Sequence, residues 1–215
     1  MRGKRVIPTL ASIVTAACLS VSPPSAEAQQ VQPPQHQRAG KWYLGVLGEL
    51  GKPQSPSNFK EYFGRSASFG LNFGRLPLTT RHLTAELSAQ YTRFFAENNQ
   101  PIQFNALEAG LELRAYSNEV NNASAAFYVA AGANFALTEL NISLPPQTRQ
   151  AILESGEKFS EQKPAIVGGA GVMLFAGRVV AIDVGVRYHH IFTSGQQTSF
   201  TTAGFRFDFL FGNPQ

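Results

Sequence analysis

The sequence predicts an all-β protein, an eight-stranded antiparallel up-and-down transmembrane β-barrel built from residues 41–211. Three observations carry that expectation. About eight segments of strand length alternate apolar and polar residues with a period of two. Charged residues make up 15% of the chain, against about 25% in ordinary soluble domains. Beyond the N-terminal region no stretch approaches the ~20 consecutive apolar residues of a spanning helix, so any membrane crossing falls to strands that close on themselves.

The N-terminus reads as an address. Arg2, Lys4 and Arg5 make a basic start, Val6 to Val21 is largely apolar, and Ala26 and Ala28 form an A-x-A cleavage site. Residues 1–28 are therefore expected to be a signal peptide, cut after Ala28. Cys18 is the sole cysteine and leaves with this segment, so the mature chain has no disulfide and no cysteine-based metal site. The alternative is a lipidated Cys18, with Thr15 where a lipobox usually has leucine. Loss of Arg2, Lys4, Arg5 and Glu27 leaves 18 less 3 basic against 14 less 1 acidic residues, a net of +2. That balance gives no electrostatic case for nucleic acid as a partner. Residues 29–40, mostly Gln and Pro, are expected to be a disordered leader.

Strands are expected near 41–51, 66–76, 82–95, 103–117, 125–139, 163–176, 178–192 and 198–211, bounded by Gly, Pro, Asn or Ser clusters. In the second, Phe69, Leu71 and Phe73 oppose Ser68, Gly70 and Asn72. The third sets Leu83, Ala85, Leu87 and Ala89 against Thr84, Glu86, Ser88 and Gln90, and the fourth Leu107, Leu111 and Leu113 against Glu108, Glu112 and Arg114. The sixth, with Gly168, Gly169 and Gly171, has no clear facing. In the seventh, Val180, Ile182, Val184 and Val186 oppose Asp183, Gly185 and Arg187. In the eighth, Ala203, Phe205, Phe207, Phe209 and Phe211 oppose Thr202, Gly204, Arg206 and Asp208.

Alternation alone does not say which face points out, because a lipocalin-like soluble binder alternates with its apolar face inside. The low charge content favours a lipid-facing apolar side. Aromatics near strand ends, at Trp42, Phe94, Phe95, Tyr116, Phe192 and Phe211, are expected to form membrane girdles. With the N-terminus in the periplasm, the outer connections run to roughly 14, 7, 23 and 5 residues, and the others are generally tighter, the pattern of transmembrane barrels. Glu49, Glu86, Glu108, Glu112, Arg114, Asp183, Arg187, Arg206 and Asp208 then point into the lumen, where ion pairs must compensate them. Gly132, Gly185 and Gly204 are expected to leave room for the arginines.

The signal, the strand series and the terminal Ala-Gly-Phe-Arg-Phe-Asp-Phe-Leu-Phe at 203–211 resemble the small eight-stranded outer-membrane barrels typified by the OmpA transmembrane domain and OmpX. The resemblance implies a place in the cell outer membrane, with outer-membrane lipids and lipopolysaccharide as surroundings. It also implies recognition of the terminal aromatic, Phe211, by the barrel-assembly machinery, with residues 212–215 as a short overhang.

No catalytic, cofactor-binding or metal-binding residue is assigned, no cofactor is expected, and enzymatic activity is not. His189 and His190 are the most suggestive pair, yet neighbours on a strand point to opposite faces and do not readily share one ion. The tract 184–190 also resembles a strand of lipid A deacylases, barrels that use a histidine with a serine two positions on. Here Ile191 and Phe192 stand at those positions and Ser194 is misplaced. The longest connection, 139–162, carries Pro145 and Pro146 before a short helix-like stretch ending at Gly156, and is the candidate surface for an extracellular ligand. The sequons at Asn122 and Asn141 match by chance often enough to carry nothing. The leading function is a structural or surface-interaction barrel. The alternatives are a lipid A deacylase-like hydrolase, a narrow pore and a soluble periplasmic lipocalin-like binder.

Overall fold

A computed structural model describes residues 38–77, 82–97, 102–120, 123–142, 160–193 and 197–212. The signal peptide, Cys18, residues 29–37, the helix expected after Pro146, Ser194, Asn122 and the last three residues lie outside them. Residues 38–40, assigned above to a disordered leader, belong to the ordered part, because buried Arg38 is tied to the turns beside it.

The strands are β1 (Trp42–Ser55), β2 (Phe63–Arg75), β3 (Leu83–Ala96), β4 (Ile102–Tyr116), β5 (Ala125–Ile142), β6 (Ser160–Ala176), β7 (Val180–Ile191) and β8 (Thr198–Phe211). Each pairs antiparallel with its sequence neighbours, and β1 pairs with β8, which closes the barrel in up-and-down order. Following the ladder once around, Tyr43 leads through Gly74, Glu86, Glu112, Gly132, Val167, His189 and Phe200 to Pro53, ten residues further along β1. That stagger tilts the strands by about 35–45°. It also means that residues far apart in sequence share one level of the lumen.

The facing follows the alternation. Phe69, Leu87, Leu111, Phe135, Val184 and Phe205 are each between 49% and 76% exposed on the outside. Glu86, Glu108, Glu112, Arg114, Arg206 and Asp208 are 0–2% exposed inside. In β6 the ambiguity resolves: Ala165, Val167 and Met173 are buried and Ile166 and Leu174 are exposed, so Gly169 and Gly171 face the lumen.

Four expectations need correction. Phe94 and Tyr116 are buried lumen residues and not girdle members, because each shares the inward parity of its strand. Trp42, Phe95, Phe192 and Phe211 do lie on the outside, with Trp42 stacked on Phe73 at 5.2 Å. Strand β1 runs past the expected end at residue 51 to Ser55, with a register shift between Pro53 and Ser55 that accommodates the proline, which has no N–H to give the ladder. The first connection, expected as a loop of about 14 residues, is reduced to residues 56–62 and contains a helix, α1 (Ser57–Tyr62), so that apart from 143–159 the outer connections are not longer than 76–82 and 117–124 at the other end. Six residues are too few to show a helical period in the sequence. The tight turn from β6 to β7 uses Gly177 at φ +84, a backbone state that favours glycine.

Candidate functional site

Among the described residues, the lumen is where charged side chains gather in mutual contact. It has three levels. At the end that carries the β2–β3, β4–β5 and β6–β7 connections, Tyr43, Leu76, Tyr116, Val120, Tyr128, Met173 and Leu210 form an apolar cluster. Arg38 lies across that end, with its guanidinium 4.6 Å from the Phe175 ring and donating to the carbonyls of Gly177 at 2.9 Å and Ala123 at 2.7 Å. At the loop end, Phe63, Phe94, Phe104, Ile191 and Phe200 form a second cluster. Helix α1 lowers Phe59 into it, 5.0 Å from Phe104 and 5.2 Å from Phe94 in edge-on contacts.

Between the clusters sits a charge network centred on Glu86 of β3. Arg114 reaches Glu86 at 2.9 Å and Arg206 at 3.0 Å, while Tyr43 donates to the same carboxylate at 2.5 Å and Asn72 at 3.1 Å. Arg114 and Arg206 share Asp183 as well, at 2.6 and 3.1 Å, and Tyr128 donates to its other oxygen at 2.7 Å. Arg206 is further held by Asp208 at 2.8 Å. Arg187 bridges Glu112 at 3.1 Å and Glu49 at 3.5 Å. All nine charged residues expected in the lumen are there. Six carboxylates face three guanidiniums, so each guanidinium serves at least two acids. Arrangements of this kind replace hydration with fixed partners, and removing one member strands the others.

Space for these side chains comes from glycines, although not as expected. Gly132, Gly185 and Gly204 make room for Glu112, Tyr128 and Glu49. It is Gly45 and Gly169 that admit Arg206 and Arg187.

The two histidines part company. His190 lies on the outer surface, edge-on to Phe192 at 4.7 Å. His189 is in the lumen, its Nδ1 3.2 Å from Glu108 and its Nε2 3.4 Å from the Thr202 hydroxyl. A hydroxyl, an imidazole and a carboxylate in line resemble a nucleophile–base–acid relay. All three residues are 1% exposed, however, under the loop-end aromatics, and in this arrangement no substrate reaches Thr202. Ile191 is buried in that cluster and Phe192 is on the outside. Phe200 was not singled out from the sequence and Thr202 only as a polar-face residue, since it is the register of β7 on β8 that brings them to His189. Among the described residues no group of three or more His, Cys, Asp and Glu side chains is disposed to hold a metal ion. The lumen is charged and filled, the reverse of a lipocalin-like interior, which rules out that alternative.

No family model matches the chain, and no curated protein matches it either. Solved structures do. Neisserial surface protein A matches with a TM-score of 0.59 at 15% identity, over 79% of this chain and 97% of that one. The outer membrane protein OprG from Pseudomonas aeruginosa matches with a TM-score of 0.50 at 14% identity, over 81% of this chain and 98% of that one. At such identities the likeness is one of fold, and the fold is that of the small eight-stranded outer-membrane barrels. The apolar outside and charged inside agree with it.

Proposed function

We propose that the mature chain serves the outer membrane as a rigid structural and surface-interaction barrel, with its N-terminus and the β2–β3, β4–β5 and β6–β7 connections in the periplasm and the end with the long 143–159 connection outside the cell. One observation carries this reading: an apolar exterior surrounds a lumen that ion pairs fill and apolar clusters seal at both ends. Such a barrel gains its rigidity from the interior and leaves recognition to its loops, chiefly 139–162. Its partners would be outer-membrane lipids, lipopolysaccharide, the barrel-assembly machinery at Phe211 and a ligand at the loops.

The loss of Cys18 makes a direct test possible, because an introduced cysteine is then unique. The Ser155→Cys protein should react with a membrane-impermeant maleimide on intact cells, and the unboiled protein from outer-membrane fractions should shift on gel electrophoresis after boiling. Labelling only after lysis would invert the orientation. A soluble protein without a heat shift would remove the membrane reading.

The hydrolase alternative has the Glu108–His189–Thr202 relay as its one specific observation. It would require Thr202 in place of serine and an opening of the loop-end cluster above it.

A further inference from the structure

On the outer face, the loop-end border of the apolar belt carries three cations close together. Arg65 of β2 and Arg93 of β3 both approach the ring of Phe95, with guanidinium carbons 6.0 and 5.8 Å from its centroid. The ladder explains why: Arg65 pairs with Phe95, and Arg93 shares a strand face with Phe95 two residues before it. Lys52 of β1 follows Gly51, whose partner Ser66 follows Arg65, so it joins the same patch from the other side. Among the described residues none of the three is in a salt bridge, including with nearby Glu97, whereas the lumen arginines are each paired more than once.

The height of this patch is informative. On β2, Arg65 and Arg75 bracket the outward run Ala67, Phe69, Leu71 and Phe73. Ten residues at a strand rise of ~3.3 Å and a tilt near 40° span about 25 Å along the axis, the height of the apolar band of an outer-membrane barrel. Arg93 stands ten residues beyond Leu83 on β3 and gives the same measure. The cations thus lie where lipid phosphates end and hydrocarbon begins. Directly against Arg65 and Phe95 is a hollow of about 370 Å³, lined also by Leu50, Gly51, Ser66 and Ala67. It has a mostly apolar wall with a guanidinium at its edge.

We infer that Lys52, Arg65 and Arg93 around Phe95 form a binding site for the phosphate of an anionic membrane lipid, whose acyl chain lies in the hollow beside Leu50 and Ala67. Guanidinium geometry suits phosphate oxygens in forked pairs, and the hydrocarbon beside the patch supplies the second half of an amphipathic ligand. The site rests on the membrane reading proposed above and adds to it the lipid class and the residues that select it.

The test is native mass spectrometry of the detergent-folded mature protein with diphosphoryl lipid A, phosphatidylcholine, or inorganic pyrophosphate as probe. Lipid A should be retained over phosphatidylcholine, and the double variant Arg65→Gln/Arg93→Gln should lose about tenfold or more of that retention. Arg178→Gln, at the opposite end, should keep it. Gel heat shifts and insertion into vesicles are read on every variant first. A wild-type protein that fails to insert sinks the membrane reading itself. Proteins that insert while wild type and double variant retain lipid A equally overturn the site alone. Pyrophosphate retained as well as lipid A would make it a free-phosphate site and likewise overturn the lipid assignment.

Discussion

His189 lies flat on Phe200, ring centroids 4.5 Å apart and planes 2° from parallel, while its nitrogens face Glu108 and Thr202. The imidazole joins the aromatic cluster of the loop end to the charge network beneath it. His189→Ala should cost about 1–3 kcal/mol, from one stacking contact and two weakened hydrogen bonds, measured by urea unfolding of the barrel folded into lipid vesicles. His189→Phe keeps the stack but strands Glu108, and should recover only part of the loss. In cells the lipid profile should be the same with either variant. An altered acyl pattern in lipid A would revive the hydrolase reading.

Glu86 holds the middle of the lumen, so its removal should be the most damaging single change there. Glu86→Ala leaves Arg114 and Arg206 short of a partner and deprives Tyr43 of its acceptor. Breaking a buried ion pair from one side costs about 3–5 kcal/mol. The expected outcome is a barrel with a lowered urea midpoint and a smaller heat-shifted fraction on gels. Loss of less than about 1 kcal/mol would mean that the network relaxes around the gap.

Much of this was legible in advance because period-two alternation states both strand and facing. Glu86, Glu108 and Glu112 alternate with Leu87, Leu107, Leu111 and Leu113, and a one-residue slip would put carboxylates into lipid. What the sequence did not reveal depends on closure. The partners of each arginine follow from a stagger that no single strand encodes. Arg38 lay hidden in a Gln- and Pro-rich leader, and Phe59 in a helix too short to show a period. Phe94 and Tyr116 looked like girdle residues from their type and place, while parity, applied to them, pointed inward.

Two β1 glycines separate packing from strand propensity. A Cβ on Gly45 would meet the side chains of Asp208 and Arg206, whereas one on Gly48 would meet nothing within 4 Å. Gly45→Ala should therefore destabilise by about 1–3 kcal/mol through overpacking, and Gly48→Ala should be neutral or slightly stabilising, since alanine restricts the unfolded chain more. Unfolding curves of both in the same vesicles decide it. Equal effects would mean that the charge network yields to an extra methyl group.

The sealed lumen bears on the pore alternative. Phe59, Phe94, Phe104 and Phe200 close the loop end, and Tyr43, Tyr116 and Arg38 close the other. Planar-bilayer recordings of the wild-type barrel should show no discrete conductance. Phe59→Ala should also stay silent, because the ion-paired layer below the plug remains filled; its effect should be faster amide exchange at the ends of β3 and β4. Unit conductance steps in either protein would show that the lumen opens.

The membrane reading makes a depth-dependent prediction that a soluble barrel would not share. Leu111 is 49% exposed near the middle of β4, and Leu83 is 58% exposed at the turn-end edge of β3. In water, arginine at either place would change stability little. In a bilayer, Leu111→Arg should cost about 2–4 kcal/mol and Leu83→Arg about 0–1, because only the former brings a guanidinium to the hydrocarbon midplane while the latter lets it reach the headgroups. Equal, small costs in vesicle-folded protein would mean that the apolar belt does not face lipid, and a large cost at Leu83 alone would place the bilayer at a different height from the one that Arg65 and Arg75 mark.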